Sequence, residues 1–153
     1  KIGDLGTLVE ALIEQKVSLI EQPLARGSEA DLEGFDSPIP IAADESAQSL
    51  EDVARLAGRF DVFSIKLDKC GGLTEALLIV EEARRIGLGV MVGNMGGTSL
   101  AMAPAFVVGQ HCDIVDLDGP LFLEEDRTPA VHYKDGAIWC PDEIWGSGAL
   151  VRQ

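Results

Sequence analysis

The sequence predicts an α/β fold in which parallel strands alternate with helices. Short apolar runs recur between longer amphipathic stretches, and this alternation is typical of βα units. Charged side chains stand at or just beyond the carboxyl ends of most of these runs. Beyond Pro120 the pattern changes to that of a β-hairpin. We therefore expect part of a parallel βα barrel, followed by a hairpin tail.

Each predicted strand is preceded by a helix or a helical turn. The predicted strands cover residues 17–20, 39–43, 62–67, 88–92 and 112–117. The elements that precede them cover residues 5–15, 28–32, 49–57, 74–86 and 99–108. Ser49 is a candidate N-cap, with Asp52 placed to form a near capping box. Gly87 is the candidate C-cap of the amphipathic helix before it.

The last part of the chain has a different organisation. Two short β-rich runs, over 130–133 and 137–140, flank a turn over 134–136 and predict a β-hairpin. We expect a partial barrel domain over residues 1–124 and a tail over residues 125–153.

Composition excludes several classes of function. Lys plus Arg number 12 against 26 Asp plus Glu, and the net charge of −14 would repel nucleic acid and anionic lipid surfaces. The longest apolar stretch, over 100–108, is far shorter than the roughly 20 residues that a bilayer span needs. Three widely spaced cysteines form no disulfide framework. We expect a cytoplasmic globular protein with neither a nucleic-acid partner nor a membrane partner.

The polar residues at the strand ends are the most informative feature. Glu21, Asp44, Lys66, Asp116 and Asp118 all lie at or just beyond the carboxyl ends of predicted strands. In a parallel βα barrel these ends meet at one mouth, where barrel enzymes have their active sites. A single carboxylate there could instead be solvated or cap a helix. Five such residues at one register favour a site.

Four motifs resemble those of the enolase superfamily, in its muconate-lactonising subgroup, and within that subgroup those of the dipeptide epimerases. They are IEQP at 20–23, ADES at 43–46, IKLDKCGG at 65–72 and DLDGP at 116–120. The 23-residue step from Glu21 to Asp44 and the 22-residue step from Asp44 to Lys66 are similar to the family's spacing. The resemblance extends over about residues 17–120.

The resemblance implies the C-terminal portion of a (β/α)8 TIM-type barrel, from its fourth to its eighth strand. A complete barrel takes about 250 residues, so the chain is either part of a longer protein or a half-barrel that pairs with another half. We expect the first, because an open five-stranded sheet would leave a bare edge. The hairpin tail would then return toward a capping domain that the chain does not contain.

Glu21 and Asp44 are the candidate metal ligands. Their carboxylates supply the hard oxygen atoms that Mg²⁺ prefers, with water and substrate completing the coordination. The family uses a third carboxylate on the preceding strand. Asp4 is the only earlier Asp, and we do not assign it as a ligand because no strand precedes it.

Lys66 is the candidate catalytic base. Its apolar strand and a neighbouring dication would both lower its pKa, as proton abstraction requires. The alternative is that Lys66 reaches solvent or pairs with Asp68. The resemblance implies a second lysine across the substrate, for which Lys1 is a weak candidate.

The resemblance also implies residues that bind substrate. Asp116 and Asp118 point to one face of their strand, and in dipeptide epimerases such a pair holds the substrate's ammonium group. The loop with Asn94, Met95 and Gly96 is similar to the one that meets the substrate carboxylate at a helix N-terminus.

Neighbouring residues complete the predicted site. We expect Glu45 and Ser46 to orient the metal ligand and Lys66. Lys69 is open to two interpretations, as a further site residue or as a helix-capping or solvated side chain.

The predicted function is that of a Mg²⁺-dependent isomerase of cell-wall peptide metabolism. It would epimerise a dipeptide such as alanyl-glutamate, through lysine-mediated α-proton abstraction and a metal-stabilised enediolate. The first alternative is another enzyme of the same subgroup: an N-acyl amino acid racemase, an o-succinylbenzoate synthase or a muconate cycloisomerase. The second alternative is a non-catalytic barrel fragment. The expected partner is the small-molecule dipeptide substrate, and assembly into a homo-oligomer is compatible with the sequence.

Overall fold

The fold is built on one parallel sheet in which each strand pairs with the one before it along the chain. A computed structural model describes residues 2–145. The strands β1 to β5 lie in sequence order and are Ile20–Glu21, Ile41–Ala43, Val62–Ile65, Gly89–Val92 and Ile114–Val115. Every pairing between them is parallel. The predicted partial barrel is therefore confirmed as a five-stranded half-barrel.

Helices pack along one face of this sheet. They are α1 (Ile2–Glu14), α2 (Leu50–Leu56), α3 (Leu67–Cys70), α4 (Leu73–Arg85) and α5 (Ser99–Gly109). Three short 3₁₀ turns lie at Glu29–Leu32, Gly119–Phe122 and Asp142–Trp145. The long α4 contacts both α2 and α5. Within residues 2–145, no helix has the length and apolar character that crossing a bilayer demands.

The two-residue period of the strands gives the sheet two different faces. In β3, Phe63 and Ile65 are buried against the helices in the main core. Val62 belongs to a smaller apolar cluster on the opposite face, which is the interior of the barrel. Ser64 and Lys66 follow Val62 at two-residue spacing and so face the same interior. The interior is thus apolar at the amino end of β3 and polar at its carboxyl end.

The observed strands are shorter than the predicted ones, for local reasons. The strand expected over 17–20 pairs only from Ile20, because its neighbour begins after Pro40, which has no N–H for the ladder. The strand expected over 62–67 ends at Ile65. The carbonyl of Lys66 accepts backbone N–H groups from the next turn, which starts α3.

Two predicted helix ends are confirmed. The Asp52 carboxylate accepts the backbone N–H of Ser49 at 3.0 Å, which closes the capping box at the start of α2. Gly87 follows α4 with a φ of 84°, in the left-handed region that glycine adopts without strain.

The tail contains the predicted hairpin. Strands β6 (His132–Lys134) and β7 (Ala137–Trp139) are antiparallel, with Lys134 opposite Ala137. The two residues between them, Asp135 and Gly136, have φ angles of 52° and 75°. Two successive positive φ angles and an Asp-Gly sequence are typical of a type I′ turn.

Candidate active site

The predicted site residues lie at the carboxyl ends of the strands. Glu21 ends β1, Asp44 follows β2, Lys66 follows β3 and Asp116 follows β5. Because the strands are parallel and in sequence order, these ends form one edge of the half-barrel. The site therefore depends on the sheet's topology rather than on proximity along the chain.

Asp44 is the centre of a compact charged cluster. It is a buried carboxylate, and one oxygen, Oδ2, lies 2.5 Å from Nζ of Lys66. The other, Oδ1, lies 2.5 Å from Nζ of Lys69. Lys66 thus pairs with Asp44, in place of the considered alternatives of solvent or Asp68. Each charge in this cluster has a partner, as burial of ionised groups requires.

Lys69 lies in the same charged cluster, so its side chain is not the solvated one that the sequence left as an alternative. Besides the Asp44 carboxylate, its ammonium contacts the backbone carbonyl of Asp44 at 2.6 Å and that of Ser64 at 3.2 Å. Lys66 and Lys69 stand at either end of the first turn of α3, and their side chains are 16% and 12% exposed. The three-residue spacing, which places side chains on one side of a helical turn, was the available sequence signal.

The two lysines differ in pKa although they share one carboxylate. Burial lowers the pKa of Lys66, but its hydrogen bond to Asp44 and the neighbouring negative charges outweigh burial and raise it above the ordinary value. Burial is stronger for Lys69 and, with the positive charge of Lys66, holds the Lys69 pKa below the ordinary value. The expected lowering at Lys66 is thus not met in this arrangement, because Asp44 takes Lys66 as its partner.

Glu21 and Asp44 line a shared cavity of about 420 Å³ with the segment 22–26. Glu21 is exposed and accepts a hydrogen bond from Oγ of Ser64 at 3.1 Å. Two carboxylates on adjacent strands fit the hard oxygen ligands of Mg²⁺, which binds proteins through as few as one or two such groups. Among residues 2–145, no three His, Cys, Asp or Glu side chains form a cluster able to hold a metal ion. A metal ion held by Glu21 and Asp44 would therefore need its other ligands from water, substrate or residues outside this range.

Gln22 connects the two carboxylate strands and was missed by the sequence analysis. Its φ of 41° is rare outside glycine. Its Oε1 accepts the backbone N–H of Asp44 at 2.9 Å and that of Ser46 at 3.2 Å, while its Nε2 donates to Oγ of Ser46 at 3.0 Å. The residue after Glu21 thus holds the backbone of Asp44. No periodicity or charge pattern signals such a contact across 22 residues.

Ser46 continues this network to Glu29, a buried carboxylate. Its hydroxyl donates to Oε1 of Glu29 at 2.6 Å, and the backbone N–H of Gly27 donates to both carboxylate oxygens at 3.0 Å. These hydrogen bonds lower the pKa of Glu29 from 4.5 to about 2. The sequence predicts an orienting role for Glu45 as well as for Ser46. Glu45 is exposed, so of these two residues only Ser46 belongs to the network.

Asp116 and Asp118 lie on the far side of the site, beyond β5. They line a second cavity, of about 620 Å³, together with residues of the hairpin tail. Burial and the charge of Asp118 raise the pKa of Asp116, with Lys66 acting in the opposite direction. A carboxylate whose pKa is raised by a neighbouring negative charge gains free energy when a cation binds beside it.

The loop after β4 contacts the β5 loop and the tail. The side-chain amide of Asn94 donates to the backbone carbonyl of Asp116 at 2.9 Å, while Met95 and Gly96 are exposed. At the start of α5, the backbone N–H of Ser99 donates to Asp126 of the tail at 3.0 Å. One of the helix N–H groups expected to meet a substrate carboxylate is therefore already bound to a protein carboxylate.

Known proteins are similar to this chain in sequence and in architecture. The family model described as "Enolase C-terminal domain-like" matches residues 6–151. N-acetyl-D-glutamate racemase of Pseudoalteromonas sp. is 48% identical over 135 residues, which cover 88% of this chain and 43% of the racemase.

Two solved structures superpose closely. An enolase family member from Agrobacterium tumefaciens with homology to dipeptide epimerases, bound to sodium and L-Ala-L-Glu, has a TM-score of 0.87 at 48% identity, covering 94% of this chain and 44% of its own. The dipeptide epimerase of Methylococcus capsulatus, complexed with Mg and L-Arg-D-Lys, has a TM-score of 0.84 at 31% identity, covering 90% and 42%. The chain spans less than half the length of these proteins.

The Glu29 network predicts a pH dependence of stability. Because folding lowers the pKa of Glu29, its ionised form stabilises the folded state above pH 4.5, and this contribution is lost as the pH falls toward about 2. Glu29→Gln should therefore lower the denaturation midpoint of the full-length protein near neutral pH, by an amount that shrinks below pH 4.5. Glu33→Gln, at an exposed carboxylate nearby, should change little. A constant difference between Glu29→Gln and the unmodified protein at all pH values would contradict this account.

Proposed function

The chain belongs to the enolase C-terminal domain-like family, and on that basis we propose that the protein containing it is a Mg²⁺-dependent epimerase of dipeptides. The observation that carries the proposal is the placement of Glu21, Asp44 and Lys66 at neighbouring strand ends, with Lys66 2.5 Å from Asp44. A metal-binding pair beside an amine is the set of groups that proton transfer next to a carboxylate needs.

Glu21 and Asp44 would hold the metal, together with ligands from outside residues 2–145. When bound, Mg²⁺ would neutralise the negative charge that develops on the substrate carboxylate as the α-proton leaves. Support comes from the shared cavity of the two carboxylates and from the Mg in the Methylococcus capsulatus structure. The contacts of both Asp44 oxygen atoms with ammonium groups also support a cation at this position.

Lys66 would carry the proton on one face of the substrate. Its Nζ lies in the interior beside Asp44, and a dication on Asp44 would lower the pKa of Lys66. The neutral amine could then accept the α-proton of the epimer that carries it on this face, and in the reverse direction return a proton to the same face. Lys69, bound to the carboxylate and the carbonyl of Asp44, would hold that ligand in place. The base for the opposite face would lie outside residues 2–145. Lys1, the weak candidate from sequence, is outside the described residues.

Asp116 and Asp118 would bind the free α-ammonium of the dipeptide. An ammonium that leaves water needs carboxylates to replace its hydration. This pair contributes, with largely apolar residues of α5, β5 and the hairpin tail, to the lining of a cavity large enough for a small ligand. The dipeptide L-Ala-L-Glu in the Agrobacterium tumefaciens structure supports a free-amine substrate. The asparagine, methionine and glycine at 94–96 would border the same end of the site, on the other side of Asp116.

An N-acyl amino acid racemase is the second candidate. The relative from Pseudoalteromonas sp. is named for an N-acetylated amino acid, whose nitrogen carries no charge, and it is 48% identical to this chain. The same metal and lysine would serve both substrates, so the charge on the substrate nitrogen distinguishes the two functions.

The metal assignment predicts the effect of removing either carboxylate. Glu21→Ala and Asp44→Ala should abolish turnover and weaken Mg²⁺ binding more than about tenfold, since even residues that only support metal ligands cost 10- to 100-fold. Isothermal titration of the full-length protein with Mg²⁺ measures the affinity, and circular dichroism checks the fold. Glu51→Ala, at an exposed carboxylate on α2, is the matched control. Unchanged Mg²⁺ affinity and turnover in Glu21→Ala would contradict the assignment.

The role of Lys66 predicts an asymmetric loss. Lys66→Ala should remove exchange of the α-proton with solvent deuterium from one substrate epimer far more than from the other, because one amine serves each face. Proton NMR of each epimer in D₂O measures the two rates. Lys16→Ala, at an exposed lysine after α1, should leave both rates unchanged. Equal losses for the two epimers would assign Lys66 a purely electrostatic role.

The aspartate pair predicts which substrates lose affinity. Removing one partner of a desolvated charge pair costs about 2 to 5 kcal/mol. Asp116→Asn and Asp118→Asn should therefore raise KM for free-amine dipeptides by roughly one to three decades, and should have little effect on N-acylated substrates. Asp36→Asn, at an exposed carboxylate, is the control. Equal losses on both substrate classes, or a preference of the unmodified enzyme for N-acylated amino acids, would favour the racemase.

A further inference from the structure

Two adjacent backbone carbonyls beyond β5 are held by side chains from different parts of the chain. The hydroxyl of Tyr133, on β6, donates to the carbonyl of Leu117 at 2.6 Å. The amide of Asn94, from the loop after β4, donates to the carbonyl of Asp116 at 2.9 Å. Both acceptor carbonyls thus belong to the segment 116–118, which carries the carboxylates of Asp116 and Asp118.

These hydrogen bonds act on the peptide planes between the two carboxylates. A peptide unit is planar, so a fixed carbonyl also fixes the next N–H and Cα. The Asp116 carbonyl lies in the plane that leads to Leu117, and the Leu117 carbonyl lies in the plane that leads to Asp118. Leu117 itself is 3% exposed and anchored in the main core. Together these contacts determine where the Cα atoms of both aspartates lie.

Close packing limits the loop further. A Cβ atom at position 119 would collide with Oδ1 of Asn94, so glycine permits the contact between the β4 and β5 loops. The side chain of Asn94 therefore binds Asp116 through its nitrogen and packs on Gly119 through its oxygen. Asn94 thus joins the loops that follow β4 and β5.

The tail that carries Tyr133 is itself attached to the barrel. Asp126 accepts hydrogen bonds from both the backbone N–H and the hydroxyl of Ser99, at the start of α5. The Ser99 hydroxyl in turn accepts the backbone N–H of Val131 at 2.8 Å, and Val131 is buried in the main core. Tyr133 lies two residues beyond Val131, so these contacts also fix its position relative to the β5 loop.

We propose that Tyr133 and Asn94 are positioning residues that set the arrangement of Asp116 and Asp118 for recognition of the substrate's ammonium group. The inference rests on the proposed function, in which that pair binds a free amine. It places part of the C-terminal hairpin, which forms no strand of the barrel, in the machinery of substrate specificity. Burial raises the pKa of Tyr133 to about 12, so its hydroxyl keeps its proton and donates throughout the neutral range.

The test compares Tyr133→Phe with the unmodified full-length protein in two measurements. Loss of one hydrogen bond should raise KM for a free-amine dipeptide such as L-Ala-L-Glu about two- to tenfold, with kcat unchanged. KM for its N-acetylated form should stay the same. Hydrogen–deuterium exchange followed by mass spectrometry should show faster exchange across residues 114–119. Asn94→Ala should act in the same direction, whereas Trp139→Phe, at an exposed position on β7, should change neither quantity.

A double variant separates positioning from general destabilisation. If Tyr133 acts through the aspartate pair, adding Tyr133→Phe to Asp118→Asn should raise KM by less than the product of the two single effects. Multiplicative effects, unchanged exchange across 114–119, or an equal rise in KM for the N-acetylated dipeptide would each overturn the inference. If the unmodified protein turned over neither substrate class, the proposed function would fail, and the exchange experiment alone would decide whether Tyr133 holds the loop.

Discussion

The two-residue alternation of side chains along parallel strands is the constraint on which this structure depends. In β3 it places Phe63 and Ile65 in the helix-facing core and Ser64 and Lys66 in the barrel interior. A shift of one residue in register would exchange these two sets and bury the ammonium of Lys66 among apolar side chains. The hydrophobic core and the candidate active site are therefore specified by the same pattern, and neither could change without the other.

Charge compensation organises the mouth that this alternation creates. Asp44 is buried between two ammonium groups, and Gln22 holds its backbone from the neighbouring strand. Glu29, beyond Ser46, gives the network a second buried negative charge that hydrogen bonds stabilise. The carboxylate proposed to bind metal thus belongs to a preorganised polar network, whose members come from three βα units. Such preorganisation lets a site stabilise developing charge without rearranging its own dipoles.

The sequence predicts those features of the structure that depend on a local pattern of residues. The five strands, the Asp52 capping box and the Asp-Gly hairpin are each encoded within a few residues, and the structure confirms them. The sequence does not predict contacts between distant segments, such as that of Gln22 with Asp44 or that of Tyr133 with Leu117, because no periodicity marks them. The pKa of Lys66 is raised where the sequence predicts a lowered one, for the same reason. The direction of the shift depends on which carboxylate folding brings beside the amine.

The central claim is that these residues serve removal of a proton next to a carboxylate in a free-amine dipeptide. The most direct measurement is proton NMR of L-Ala-L-Glu in D₂O with the unmodified full-length protein, with and without Mg²⁺. The account predicts loss of the α-proton signal of the C-terminal residue, together with appearance of the other epimer, only when Mg²⁺ is present. Binding of the dipeptide without any exchange of that proton would contradict it, and would leave the barrel mouth as a binding site without this chemistry.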